Sequence, residues 1–256
     1  MPILKYIIIN AIRNRIYLGL MIFLIIAIAI SIFIGSTSFV EQQQFTVAYI
    51  AGLSRVIIQF GMILFACLTI SKAFENKEIE FLISKPISRE QFILSYFAGF
   101  AIAGIIILLP LFFIMLLLCK LNYIGFLLWT TTLTCEMILT ICFAILSSFI
   151  LKNSFTAIFA SCGFYIIARL MGVFTLSIES FSEIASDSSY FMHEPLKILL
   201  KTLSVIFPRF DLLAETKWLN YGINDFSSFK IIFYQVLIYL PLMIHMAFHD
   251  FRKKQF

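Results

Sequence analysis

Two ionisable residues stand where ionisation is expensive. Glu136 falls near the middle of the apolar run 124–151, and Arg169 falls in the outer half of the run 155–176. A charge in hydrocarbon must face protein or a water-filled cavity and find a partner there. If the two runs are neighbouring antiparallel helices, their depths differ by about one turn, within reach of a long arginine side chain. A structural Glu136–Arg169 pair is the expectation, and a place for both on a substrate path is the alternative. Arg55 and Gln59 share a helix face by i, i+4 spacing, and Arg55 is expected to snorkel outward. His245 and His249 repeat that spacing beside Asp250, but zinc-protease chemistry needs a glutamate after the first histidine, and Met246 stands there. An interfacial helix end is the reading for that pair, without a metal. No Ser/His/Asp or Cys/His nucleophile set stands out, so no catalytic residue is assigned.

Phosphate chemistry fares no better. The glycines of "GFAIAGII", Gly99–Ile106, have the spacing of a phosphate-binding loop. They lack the lysine and hydroxyl that hold phosphate and magnesium, and they lie inside an apolar run. Small residues there permit close helix packing. Cys67, Cys119, Cys135, Cys142 and Cys162 sit within or at the ends of apolar stretches without metal-site spacing. Thiols in such places act as small hydrophobes.

The elements that must carry these residues follow from composition. The residues AVILMFWYC make up 61% of the 256-residue chain, against roughly half in soluble domains. Charged residues are 13%, about half the usual share. Only lipid leaves such a surface uncovered at no cost, so an integral membrane protein is expected. Six runs can span a core that takes about 20 helical residues: 17–35, 53–71, 92–119, 124–151, 155–176 and 229–248. Pro110 removes a backbone donor from the third and should kink it. The expected fold is all-α, a single transmembrane domain over 1–256 without internal repeats.

Lysine and arginine set the orientation. With the N-terminus inside, the cytoplasmic side gathers Lys5, Arg13, Arg15, Lys72, Lys77, Lys85, Arg89, Lys152 and the C-terminal Arg252, Lys253 and Lys254. Both termini are therefore placed in the cytoplasm. The net charge of +5 sits at membrane flanks, which points to anionic lipid headgroups and not to nucleic acid. The lead "MPILKYIIINAIRNR" is too short to span. It reads as a helix in the cytoplasmic interface or as an extension of the first span. In the outer loop 177–228, Pro195 and Pro208 bound an apolar stretch with Lys197, Lys201 and Ser204 on one face, expected to be an interfacial or re-entrant helix.

The segment 71–91, "SKAFENKEIEFLISKPISREQ", interrupts this apolar plan. Lys72, Lys77, Lys85 and Arg89 match Glu75, Glu78, Glu80 and Glu90 in number. A loop built only for topology needs cations and not carboxylates. Helix formers run to Lys85, where Pro86 stops them. Ser88 and Gln91 then form a capping box, with Ile87 and Phe92 as its hydrophobic staple. Charge interleaved with Phe74, Ile79, Phe81 and Leu82 suits a docking surface, and a solvated, self-paired loop is the alternative.

"ENKEIEFLISKPISREQFILSYFAGF" resembles the cytoplasmic loop of the permease subunits of type 2 ABC exporters. "AIRNRIYLG", "FPRFDLL" and the six-span plan with both ends inside are similar to that family as well. Across the chain the resemblance is one of layout, and at residue level it is specific around Glu75–Gln91. It implies that 71–91 is a coupling helix seated on a separate ATPase, with Glu75, Lys77, Glu78, Glu80 and Arg89 as contacts. ATP and magnesium would belong to that ATPase, with no cofactor in this chain. The resemblance further implies a second permease copy, a homodimer, in the inner membrane. The readings left beside it are an intramembrane enzyme and a non-transporting membrane anchor for an ATPase.

Overall fold

Three of the long helices begin at an asparagine whose side chain accepts from backbone amides of the first turn. Asn14 takes the Ile16 amide at 3.0 Å, Asn122 the Ile124 amide at 3.1 Å, and Asn153 the Phe155 amide at 3.0 Å. Each satisfies a donor that the helix cannot. The computed structural model describes residues 2–37, 41–78, 88–118, 122–151, 153–184, 198–199, 202, 206–222 and 227–253. Its helices are α1 (Pro2–Arg13), α2 (Arg15–Ser36), α3 (Gln42–Glu75), α4 (Arg89–Leu118), α5 (Tyr123–Ile150), α6 (Ser154–Ile184), α7 (Lys217–Tyr221) and α8 (Ser227–Lys253), with a 3₁₀ turn at Phe210–Leu212. No strand occurs among the described residues.

Six of these helices, α2 to α6 and α8, are long and apolar enough to cross a membrane. Each coincides with one of the six apolar runs. The chain is a multi-pass helical membrane protein. The main difference is α3, which starts eleven residues before the run at Leu53, at Gln42. Its 34 residues reach about 51 Å, well beyond a hydrocarbon core of about 30 Å. Of the glutamines at its start, Gln44 meets protein: its carbonyl accepts from Asn220 and its side chain from the Tyr221 hydroxyl.

α5 is the central helix, with 72% of its most apolar stretch buried, whereas α8 at the periphery buries 17%. Glycines set the close crossings. A Cβ on Gly61 would lie 1.7 Å from Leu20, one on Gly99 would lie 2.7 Å from Ile7, and one on Gly104 would lie 2.6 Å from Met137. The last two are the glycines of the false phosphate loop, and they serve helix packing. Asn14 is extended (φ −77°, ψ 128°), so α1 is a separate helix and not a continuation of the first span. It buries Ile7 and Ala11 in the core.

Both described termini lie at one end of the bundle. There the Tyr6 hydroxyl donates to Glu78, Arg89 donates to the carbonyls of Phe251 and Arg252, and Arg252 pairs with Glu90. Phe92 stacks on Phe251 at 5.5 Å. The Ser88 side chain accepts from the Gln91 amide at 3.2 Å, which is the forward half of the capping box. Residues 79–87, most of the stretch between Pro195 and Pro208, and Cys119 lie outside the described residues, so Glu80 and the outer helix do too.

Candidate functional site

At the opposite end, the chain after α6 turns back into the bundle. Phe210, Leu213 and Ala214 are at most 1% exposed, and the Ala214 amide donates to the Thr132 hydroxyl of α5 at 3.1 Å. From there the segment climbs beside α5. Gly125 lets the Trp218 carbonyl approach so closely that a Cβ would sit 2.0 Å from it. The descent brings irregular backbone among apolar helices, where each carbonyl needs a donor.

Two arginines supply those donors. Arg55 of α3 gives Nη2 to the Leu213 carbonyl at 2.5 Å and Nη1 to the Ala214 carbonyl at 3.1 Å, with the Phe210 carbonyl at 3.3 Å. Arg169 of α6 gives Nη1 to the Phe210 carbonyl and, at 3.4 Å, to that of Leu213. An arginine offers five N–H donors in a fixed fork, which suits several acceptors at once. Ala214 holds a left-handed φ of 47°, a strained conformation for a residue with a Cβ, and bonds at both its carbonyl and its amide fix it.

The counter-charge is Glu136. Arg55 Nε lies 3.1 Å from its Oε1, and Nη2 lies 2.5 Å from its Oε2, a two-pronged ion pair. Glu136 is 0% and Arg55 5% exposed. The expected Glu136–Arg169 pair is therefore corrected: the partner of Glu136 is Arg55, and Arg169 is committed to carbonyls. The expected outward snorkelling of Arg55 is corrected with it. Depth alone related α5 to its antiparallel neighbour α6. It could not show that α3, running parallel to α5, presents Arg55 at the same level, or that residues 210–214 supply acceptors to Arg169. Two guanidiniums and one carboxylate leave one net positive charge in the cluster, facing carbonyl dipoles.

Gln59, one turn from Arg55, is 0% exposed, and neither of its amide atoms has a hydrogen-bond partner among the described residues. Nearer the end that carries the termini, Ser147 and Ser161 share a 2.7 Å hydrogen bond beside Cys67, a polar crossing of α3, α5 and α6. His245 and His249 are exposed on α8.

Of the other predicted site residues, Glu75, Lys77, Glu78 and Arg89 gather at the terminal end. Glu75 and Lys77 are exposed just where α3 stops, and Lys77 has a left-handed φ of 56°. Glu78 accepts from Tyr6 at 3.0 Å. Burial, and then the Glu78 carboxylate, hold the Tyr6 phenol above its ordinary value. Arg89 is drawn to the last carbonyls of α8, where a cation meets the negative end of the helix. The arrangement ties α1, the end of α3, the start of α4 and the end of α8 into one cluster. Comparison of the sequence with protein-family models and with curated proteins finds no match.

Proposed function

We propose that the chain is the membrane-spanning permease subunit of an ATP-driven exporter of the type 2 ABC class, working with a separate ATPase. The resemblance of Glu75–Gln91 to the coupling loop of that class carries the reading. It is supported by the six-helix plan and by the position of this segment at the end that holds both termini. In this reading that end faces the cytoplasm of a cell whose inner membrane holds the protein. There α1 lies along the interface, and Glu75, Lys77, Glu78, Glu80 and Arg89 face the ATPase. A second copy completes the permease, and the stretch between Pro195 and Pro208 lies at the outer mouth.

The mechanical link is α3. From Glu75 to Arg55 it is one continuous helix, about 30 Å of rod at 1.5 Å per residue. A displacement imposed at Glu75–Glu78 moves Arg55 against the carbonyls of 210–214. The inward-turned segment is the element at the outer end that such a motion would release or seat.

Capture of the tagged chain from its own membranes tests the reading. A P-loop ATPase should copurify, and the purified chain freed of it should not hydrolyse ATP. Glu78→Lys with Glu80→Lys should abolish the association, because like charges in a docked interface cost several kcal/mol, roughly. Membrane insertion should be unchanged. Tyr6→Phe removes the Tyr6–Glu78 bond without changing charge and should retain the ATPase. Full retention by the double reversal, or no ATPase in the wild-type capture, would overturn the proposal.

A further inference from the structure

Between α2 and α3 the surface is hollowed into a groove of about 380 Å³ lined by apolar residues, among them Ile16, Gly19, Phe23, Val56, Phe60 and Leu64. Its size falls in the range of small-molecule sites, about 300–1,000 Å³. Phe23 and Val56 are exposed at its rim, so it opens sideways from the bundle. Gly19 forms part of its wall, and a Cβ there would meet nothing within 4 Å. Gly61 is different: a Cβ on it would run into Leu20, so it sets the helix separation.

The groove has a basic end. On α2 its stripe is Ile16, Gly19 and Phe23, and Arg15 lies one turn before Gly19 on the same face. On α3 the stripe continues from Leu64 through Leu68 to Lys72 by steps of four. The two helices are antiparallel, with Gly61 against Leu20 and Gly35 against Thr46. The direction from Leu64 to Lys72 on α3 is therefore the direction toward Arg15 at the start of α2 and, across Asn14, toward Arg13 at the end of α1. Arg13, Arg15 and Lys72 are all exposed, and none belongs to an ion pair among the described residues. Three cations on the turns that follow one end of an apolar slot, none in an ion pair among the described residues, match the anatomy of one kind of molecule.

We infer that this groove is a binding site for an anionic phospholipid. One acyl chain lies in the slot between α2 and α3, and the phosphate group meets Arg13, Arg15 and Lys72. The site belongs to the leaflet at the end that carries both termini. It does not rest on the exporter reading.

Native mass spectrometry of the purified chain tests it, using phosphatidylglycerol and phosphatidylcholine with identical acyl chains. The wild type should retain one phosphatidylglycerol in preference to phosphatidylcholine. Each cation near a lipid phosphate contributes about fivefold in binding, equivalent to about 1 kcal/mol. The combined Arg13→Gln, Arg15→Gln and Lys72→Gln variant should therefore lose about a hundredfold of that preference. Gly19→Leu extends into the slot from a Cβ that meets nothing within 4 Å, and it should release both lipids while the chain stays folded by circular dichroism. Equal retention of the two lipids by the wild type, or undiminished preference in the triple variant, would overturn the site. So would unchanged lipid retention in Gly19→Leu. If Gly19→Leu instead split a dimer and left lipid retention intact, the groove would be a contact between two copies and the inference would fail.

Discussion

Removing Arg55 should harm the protein more than removing Glu136, although they form one ion pair. Glu136→Gln leaves the guanidinium without its carboxylate, but the carbonyls of Leu213 and Ala214 still accept from it. Arg55→Gln strands a fully buried carboxylate, takes the donor from the Ala214 carbonyl, and leaves Leu213 with the longer bond from Arg169 at 3.4 Å. Breaking a buried pair costs about 3–5 kcal/mol, and the orphaned Ala214 carbonyl adds about 1–3 kcal/mol. Arg55→Gln is thus expected near the upper end or beyond, and Glu136→Gln near 3 kcal/mol, roughly, or below it. At about 3 °C per kcal/mol for a chain of this size, Glu136→Gln should lower the thermal midpoint in detergent by about 9 °C and Arg55→Gln by about 15 °C or more. The double variant should be less damaged than the sum of the two, by about 1–3 kcal/mol of coupling. Arg169→Gln combined with Glu136→Gln should show weaker coupling, because Arg169 bonds to carbonyls and not to the carboxylate. Additive losses for Arg55 and Glu136, or a larger loss from Glu136→Gln than from Arg55→Gln, would refute this account.

Other outcomes follow from single contacts. Gly125→Val places a Cβ against the Trp218 carbonyl and should lift the segment from α5, seen as a red shift in the emission of Trp218, now 7% exposed. Gln59→Leu removes an amide that has no partner among the described residues and should leave the thermal midpoint unchanged or raise it, since an unpaired buried amide costs about 1–3 kcal/mol. A clear loss would show that the amide is satisfied. Tyr6→Phe should cost about 0.5–1 kcal/mol near neutral pH. The phenol is held above its ordinary value of 10.0, so that contribution is fully present below about pH 10 and is lost as pH rises through the raised value. The gap between wild type and Tyr6→Phe in a pH series of thermal midpoints should therefore close in alkali.

The spans were legible because their signal is length and apolarity, which survive without knowledge of neighbours. The packing role of Gly99 and Gly104 was legible for the same reason, since small residues in an apolar run have few other uses. The early start of α3 was not, because Gln42–Gln44 read as a polar loop, and only the returning chain brings Asn220 and Tyr221 to Gln44. Glu136 and Arg169 were both legible as costly and partnered, but not their partners. Half of those partners are backbone carbonyls, which any sequence supplies, and the other half is Arg55, whose nearness to Glu136 depends on α3 and α5 being parallel neighbours. One signal was available: an arginine followed a turn later by a glutamine, deep in a long helix, is costly to leave facing lipid.

Why the bundle keeps charge at this level can be argued from what the alternatives would do. A buried ion pair replaced by apolar residues of similar volume is often neutral or stabilising. That exchange is closed here, because an apolar pair at 55 and 136 would take the donor from the Ala214 carbonyl inside the bundle and leave Leu213 with only the 3.4 Å bond from Arg169. The dependence runs one way. If residues 210–214 lifted toward the end opposite the termini, their carbonyls would find water, and Arg55 would still hold Glu136 through Nε and Nη2. The segment needs the ion pair, but the ion pair does not need the segment. An element that can leave its seat without stranding a charge has a lower barrier to movement than one whose departure breaks a buried pair. The carboxylate thus keeps Arg55 neutralised in both positions, and Arg169, with no carboxylate of its own in direct contact, is the cation whose environment changes most when the segment moves. Arg169→Gln should accordingly loosen the segment more than it weakens the helical bundle. Proteolysis or hydrogen exchange over 206–222, compared with exchange along α5, would separate the two effects. Equal loss of protection in both would mean that the segment and the bundle are a single unit and that no such movement exists.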